Sequence, residues 1–366
     1  MKHDLQSAAV YPTDDVRIEK IDVLVPPQEV VFELPIPPTI AELVFRTRHE
    51  IHRILEGRDN RILMIVGPCS VHDYAAAIDY AQWLTHVREQ FSERILILMR
   101  VYFEKPRTIT GWKGLINDPH LDGSFRINEG LRLARRLLIE INGMNLPTAS
   151  EFVDLLAPQY VGDLISWAAI GARTTESQVH RELASGLSCA VGFKNNTQGD
   201  VEVAVNAVLS ARHPHHFLSV TKSGAAAIVS TSGNPDCHVV LRGGPVPNYE
   251  QAAVERAAMQ LLSKGLHSRL MIDCSHGNCG GDFRRQLQVA QSVRFQLDNG
   301  SRHILGLMAE SNLIEGKQEY VPGSPLVYGQ SITDPCIGLQ DTIRLLGMIA
   351  GSSRAKPARL TAVANG

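Results

Sequence analysis

Two groups of residues have types and spacings that suit joint chemistry, and each member stands at or just beyond the end of a short apolar run. The first is cationic: Arg100, Lys105, Arg107, Arg173, Lys194 and Arg242. Gathered at one mouth, these charges would repel one another and lose hydration, so the set implies a partner carrying phosphate, carboxylate or both. Arg offers a planar fork to paired oxygens, and Lys a compact point charge. The second group is Cys69, His276, Glu310 and Asp334, a thiol, an imidazole and two carboxylates. A mixed S/N/O set suits one divalent ion such as Mn, Fe, Co or Zn and disfavours Mg or Ca, which prefer oxygen shells. With four ligands and room for water, such a site is catalytic rather than structural. Taken singly, each residue has a plainer reading: Cys69 as a small buried apolar side chain, His276 as a hydrogen-bonded histidine, each cation as a solvated rim residue. Only the constellation argues for a site.

The elements that must position these residues alternate between strand-sized apolar runs and longer helical patterns from Arg61 to Ser352. Strands are expected to end near Cys69, Val101, Glu151, Ala172, Lys194, Arg242, Ser275 and Glu310, and repeated βα units of this kind build a parallel sheet. The fold class is therefore α/β, a (β/α)8 TIM barrel, whose active site lies at the C-terminal ends of the strands. A doubly wound sheet is the structural alternative. Two further alternating runs, Phe217–Thr221 and Ala226–Thr231 around Ser223-Gly224, predict a β-hairpin inserted at about 216–234, outside the barrel. Residues 1–50 read as an N-terminal extension with a regulatory or oligomer-forming part, 51–352 as the catalytic barrel and 353–366 as a tail. Within the extension, prolines flank a β-rich stretch over Glu29–Leu34, and Ile40–Gly57 has helical spacing with Gly57 as its cap.

The chain has 366 residues, with 36 Lys+Arg against 38 Asp+Glu and a formal net charge of −2. That balance argues against a nucleic-acid or anionic-membrane binder, which needs a basic excess. With 44% hydrophobic and 20% charged residues, a large buried core is expected and disorder is not. The start of the chain lacks the apolar run of a signal peptide, and no run approaches the ~18 residues of a membrane span, so a cytoplasmic protein with six reduced cysteines is expected. Cys274 and Cys279 bracket His276 without the second pair a zinc knuckle needs, and His213, His215 and His216 read as a solvated turn. Dinucleotide-binding, Walker and nucleophile-elbow motifs are absent.

Several long motifs, in order, resemble those of the class I 3-deoxy-D-arabino-heptulosonate 7-phosphate (DAHP) synthases, the microbial feedback-regulated type. They are Gly67-Pro68-Cys69-Ser70, Lys105-Pro106-Arg107-Thr108 with Gly111-Trp112-Lys113-Gly114-Leu115, and Ile170-Gly171-Ala172-Arg173-Thr174-Thr175-Glu176-Ser177. Gly192-Phe193-Lys194-Asn195, Leu241-Arg242-Gly243-Gly244 and Ser331-Ile332-Thr333-Asp334 complete the set. The resemblance runs from about Asp14 to about residue 350.

It implies a metal-dependent, aldol-like condensation of phosphoenolpyruvate (PEP) with D-erythrose 4-phosphate, the first step of the shikimate pathway. Carried over by position, the metal ligands would be Cys69, His276, Glu310 and Asp334. PEP would be held by Arg100, Lys105, Arg173, Lys194 and Arg242, with Glu151 nearby. Erythrose 4-phosphate would meet Arg107 and Thr108, with Asp334 near its hydroxyl. Lys105 would help protonate the new alkoxide, and Glu151 would help position water. The resemblance also implies an aromatic amino acid effector, near Asp14, Asp15, Phe152, Pro158, Gln159, Leu187, Ser188, Phe217 and Val229, and a homodimer or homotetramer. Leu218–Lys222 and Asp236-Cys237-His238 look most like the Phe-sensitive form. Departures from the family pattern are Asn196-Thr197-Gln198-Gly199 and Gly277-Asn278-Cys279, which bear on loop conformation. The enzyme alternative is the related 3-deoxy-octulosonate 8-phosphate synthase, which lacks the extension, the hairpin and the Lys-Pro-Arg-Thr loop. A non-catalytic sugar-phosphate or amino-acid sensor on the same fold is the other.

Overall fold

The structure is a computed structural model that describes residue 11 and residues 13–354 apart from 108 and 110. Two helices lead in, α1 (Pro27–Glu33) and α2 (Pro38–Glu56). There follow β1 (Ile62–Gly67), α3 (Tyr74–Phe91), β2 (Ile95–Arg100), α4 (Ile127–Gly143), β3 (Thr148–Glu151), α5 (Ala157–Val161), β4 (Ile165–Ile170), α6 (Gln178–Gly186), β5 (Ala190–Lys194) and α7 (Glu202–Ala211). After β6 (His216–Val220) and β7 (Ala226–Ser230) come β8 (Cys237–Leu241), α8 (Gln251–Ser263), β9 (Leu270–Asp273), α9 (Gln286–Asp298) and β10 (Ile304–Glu310). The short β11 (Ile314–Lys317) and β12 (Gln330–Ser331) precede α10 (Leu339–Ala350).

Eight parallel strands close a barrel in the order β1-β10-β9-β8-β5-β4-β3-β2. The doubly wound alternative is thereby excluded, since β1 pairs with both β10 and β2. Each barrel strand is buried along its whole length, as expected when helices cover a parallel sheet. Alternate residues divide between two cores. Ile62, Met64 and Val66 face the helices, while Leu63 and Ile65 join Trp167, Met271 and Leu305 inside. Ile51, Ile54 and Leu55 of α2 belong to that inner cluster, so α2 closes the barrel end from which the strands start. This helix begins on Pro38, ends on Gly57 with φ 77°, and runs through residue 50 without a break.

The segment read as β-rich, Glu29–Leu34, is instead mostly helix α1. Pro27 starts it, Glu29 stands in its favourable first turn, and Val30 is wholly buried, so a single turn-spaced anchor outweighs the β-branched pair. The inserted hairpin forms as expected: β6 and β7 are antiparallel, with Phe217 opposite Val229 and Leu218 opposite Ile228. It stands outside the barrel because β5 pairs directly with β8. No described helix is long and apolar enough to cross a membrane.

Candidate active site

A cavity of about 300 Å3 opens at the C-terminal mouth of the barrel, and all six cations line it. Arg100 ends β2 and Lys194 ends β5, while Arg173 and Arg242 follow β4 and β8 within three residues. Lys105 and Arg107 come from the loop after β2, which is tied down by Lys105 N donating to Lys113 O at 2.8 Å and Arg107 Nε donating to Trp112 O at 2.8 Å. Thr108 lies outside the described residues. Four carboxylates, Glu151, Asp273, Glu310 and Asp334, stand among these cations. They leave a cationic excess for an anion to neutralise.

Lys194 Nζ lies 3.5 Å from Glu151 Oε2 and 3.3 Å from Asp273 Oδ2, all three side chains buried. Burial opposes the Glu151 charge, but Lys194, Lys105 and Arg100 outweigh it and hold the carboxyl below its usual range. Its space exists because residue 171 is Gly: a Cβ there would stand 2.4 Å from Glu151 Oε1. Burial likewise opposes the charge on Arg242, whose pKa is lowered in spite of Asp273.

The four residues of mixed donor type converge at the base of this cavity. Ligand atoms of Cys69, Glu310 and Asp334 lie within 4.8 Å of one another. His276 stands beside them, its Nε2 3.7 Å from Glu310 Oε1. Its φ of 57° is unusual for a residue with a side chain and marks a constrained turn. Asp273 completes the imidazole's surroundings. Asp273 Oδ1 accepts from Ser275 N and from Ser275 Oγ, and His276 Nδ1 lies 2.8 Å from Ser275 Oγ and 3.0 Å from Asp273 Oδ2. With the Ser275 hydroxyl proton given to Asp273, the Asp273 carboxylate favours a proton on His276 Nδ1, the tautomer whose Nε2 lone pair can serve a metal. Burial resists ionisation of Asp273, yet His276 and Lys194 hold it well below the carboxylate range.

The donor set fits a divalent ion. It joins a soft thiol, an imidazole nitrogen and hard carboxylate oxygens, with Cys69 and Glu310 buried and Asp334 on the open side. The cluster is negative enough to draw in a cation of its own: Lys105 Nζ donates to Cys69 Sγ at 3.0 Å and to Asp334 Oδ2 at 3.5 Å. Burial and the Glu310 charge push the Cys69 thiol up to about 12. Burial opposes the charge on Lys105, but the same thiol and carboxylates raise it above the usual lysine range.

Sequence reasoning missed three contributors. Asp273 is the first, three residues before His276. Glu104 is a buried carboxyl that accepts from Val153 N and Asp154 N, pushed up to about 8 by burial and by Asp154. Tyr102 lies beneath the cations, in the same run as Arg100. The departure at Gly277 has a local cause, since a Cβ there would meet Gly244 N at 2.6 Å, where the loops after β8 and β9 pack backbone against backbone.

A second cavity, of about 730 Å3, lies between α5, the end of α6 and the hairpin. Phe152, Pro158, Gln159, Leu187, Ser188, Phe217 and Val229 all line it. Asp15 is exposed and is not among its lining residues.

Residues 38–346 match the model of the DAHP synthetase I family. The chain is 53% identical to the Phe-sensitive phospho-2-dehydro-3-deoxyheptonate aldolase of Escherichia coli K12, over 94% of this chain and 99% of that one. It is 51% identical to the Trp-sensitive aldolase of the same strain, over 93% and 98%. A solved phospho-2-dehydro-3-deoxyheptonate aldolase from Francisella tularensis SCHU S4 superposes with a TM-score of 0.89 at 51% identity, covering 91% of this chain and 97% of that one. With the barrel, the cation ring and the motifs in agreement with these likenesses, the chain belongs to the DAHP synthetase I family.

Proposed function

We propose that the protein condenses PEP with D-erythrose 4-phosphate and water to give DAHP and phosphate, the first committed step toward chorismate and the aromatic amino acids. The observation that carries this reading is the ring of six cations around one cavity, with a thiol, an imidazole and two carboxylates at its base. Arg100, Lys105, Arg173, Lys194 and Arg242 hold the phosphate and carboxylate of PEP, and fixed charges of this kind need no reorganisation during reaction. Arg107 and Thr108 take the phosphate of the aldose, with Asp334 near its hydroxyl. Cys69, His276, Glu310 and Asp334 hold one divalent ion of the Mn, Fe, Co or Zn type, which when bound supplies Lewis acidity to the aldehyde carbonyl.

C3 of PEP forms the new bond to the aldehyde carbon, and Lys105 gives a proton to the alkoxide that develops. Water adds to C2, positioned by Glu151, whose carboxylate is held ionised by the neighbouring cations. Cleavage of the C2–O bond then releases phosphate. The 3-deoxy-octulosonate 8-phosphate reading is disfavoured by the family match and by the Lys-Pro-Arg-Thr loop, and the sensor reading by a complete donor set.

The cavity beside the hairpin is the site of an aromatic effector. Likeness to the Phe-sensitive and Trp-sensitive relatives is nearly equal, so the choice of Phe rests on Leu218–Lys222 and Asp236-Cys237-His238. A cytoplasmic homodimer or homotetramer completes the reading. The direct test is product formation from PEP with erythrose 4-phosphate or arabinose 5-phosphate, after chelation and after Mn is restored. DAHP formation from erythrose 4-phosphate, lost on chelation and regained with Mn, is expected. Full activity after exhaustive chelation, or preference for the pentose phosphate, refutes the reading.

A further inference from the structure

Tyr102 is 1% exposed and lies behind the residues that line the cavity, without lining it itself. Its hydroxyl donates to Met308 Sδ at 3.7 Å, a weak acceptor and a long contact. The ring is better engaged than the hydroxyl. Arg100 Cζ lies 3.6 Å from the ring centroid, and Lys194 Nζ lies 5.8 Å from it. Both distances fall within the roughly 6 Å over which an aromatic face attracts a cation, an attraction that strengthens when the pair is desolvated.

The donor inventory of Arg100 shows why a ring is needed there. A guanidinium has five N–H groups. Here Nε donates to Pro68 O at 3.1 Å, Nη2 to Cys69 O at 3.2 Å and to Glu310 Oε1 at 2.8 Å, and Nη1 to Met308 Sδ at 3.0 Å. One N–H on Nη1 is left to meet an anion. Arg100 therefore serves an anion mostly through its fixed charge, and its flat face, which can form no hydrogen bond, rests on Tyr102. Lys194 shares the same support in addition to its two carboxylates.

We propose that Tyr102 is a positioning residue whose ring face keeps Arg100 and Lys194 oriented beneath PEP. The inference rests on the reading that these two cations bind PEP.

The test is the Kd of PEP for the Mn-loaded protein, measured by titration calorimetry. Tyr102→Phe is expected to match the parent. Tyr102→Leu is expected to weaken PEP about tenfold, leaving the KM for erythrose 4-phosphate in place. Leu leaves a gap, so phenylalanines with increasing ring fluorination, introduced at 102, keep the shape while draining charge from the ring face. PEP affinity should fall stepwise along that series. Constant affinity across it, or a Phe variant as impaired as the Leu variant, overturns the proposal. Lys194→Ala separates the two levels: if it weakens PEP and fluorination does not, this inference alone fails, and if it leaves PEP binding intact, the assignment of the site fails.

Discussion

Replacing Asp273 with Asn changes one buried atom of the site and should divide its two functions. In the parent, Asp273 Oδ2 lies 3.0 Å from His276 Nδ1 and 3.3 Å from Lys194 Nζ. An Asn amide can keep the Ser275 contact through its oxygen, but its NH2 then faces Nδ1 and Nζ. His276 must respond by accepting at Nδ1, which moves its proton to Nε2 and removes the lone pair that a metal requires. Loss of a carboxylate behind a ligating histidine typically costs 10–100-fold in metal affinity, about 1.4–2.8 kcal/mol. Breaking a buried pair costs about 3–5 kcal/mol of stability, and Glu151, 3.5 Å from Lys194, keeps the loss near the lower end. PEP should respond differently, because the substitution removes a negative charge from beside an anion site. Calorimetric titration of chelator-treated Asp273→Asn with Mn should show the weakened metal site, while PEP affinity measured at saturating Mn does not fall. Unchanged metal affinity in a variant that still melts cooperatively would refute the argument that Asp273 sets the His276 tautomer.

Other expectations follow from neighbouring residues. Glu104, at about 8 in the folded protein against 4.5 for an ordinary glutamate, keeps its proton where the unfolded chain has lost it. The unfolded state then binds fewer protons between these values, so stability falls as pH rises from about 4.5 to about 8, by a few kcal/mol. Urea unfolding of Glu104→Gln should lack that decline, and parallel pH curves for the two proteins would contradict it. Arg107→Ala should raise the KM for the aldose phosphate by tenfold or more, roughly the 1.5–3 kcal/mol of a charged hydrogen bond, with a much smaller effect on PEP. An equal rise in both would contradict the assignment. In the second cavity, Phe217→Ala should blunt inhibition by Phe with kcat retained, and undiminished inhibition would place the effector elsewhere.

The barrel was legible in the sequence because most strands covered on both sides read as apolar runs, and several end on a charged residue unlike those before it. Ile95–Arg100 and Ala190–Lys194 show this plainly, since one charge closes each run. Donor types and cation identities could be read for the same reason. Helix α1 could not, because Val30 and Val31 favour a strand locally and only the burial of Val30 decides otherwise. Asp273 was hidden by distance along the chain: its meaning comes from Lys194, on a strand two places away in the barrel. Tyr102 and Glu104 sit between residues with evident chemistry, and alternation in an irregular loop does not tell which side chain turns inward.

The hairpin leaves and re-enters the rest of the fold at a single closed root. Thr231 N donates to His215 O at 2.9 Å, and His215 N to Thr231 Oγ1 at 3.0 Å. Asn234, just beyond, holds the return path through Ala184 O and Cys189 O. Since β5 and β8 pair without it, the barrel would close the same way if the hairpin were missing. In evolutionary terms the insertion is a cassette. Because it also supplies Phe217 and Val229 to the second cavity, a single deletion would open the proposed effector site and leave the residues at the strand ends where they are.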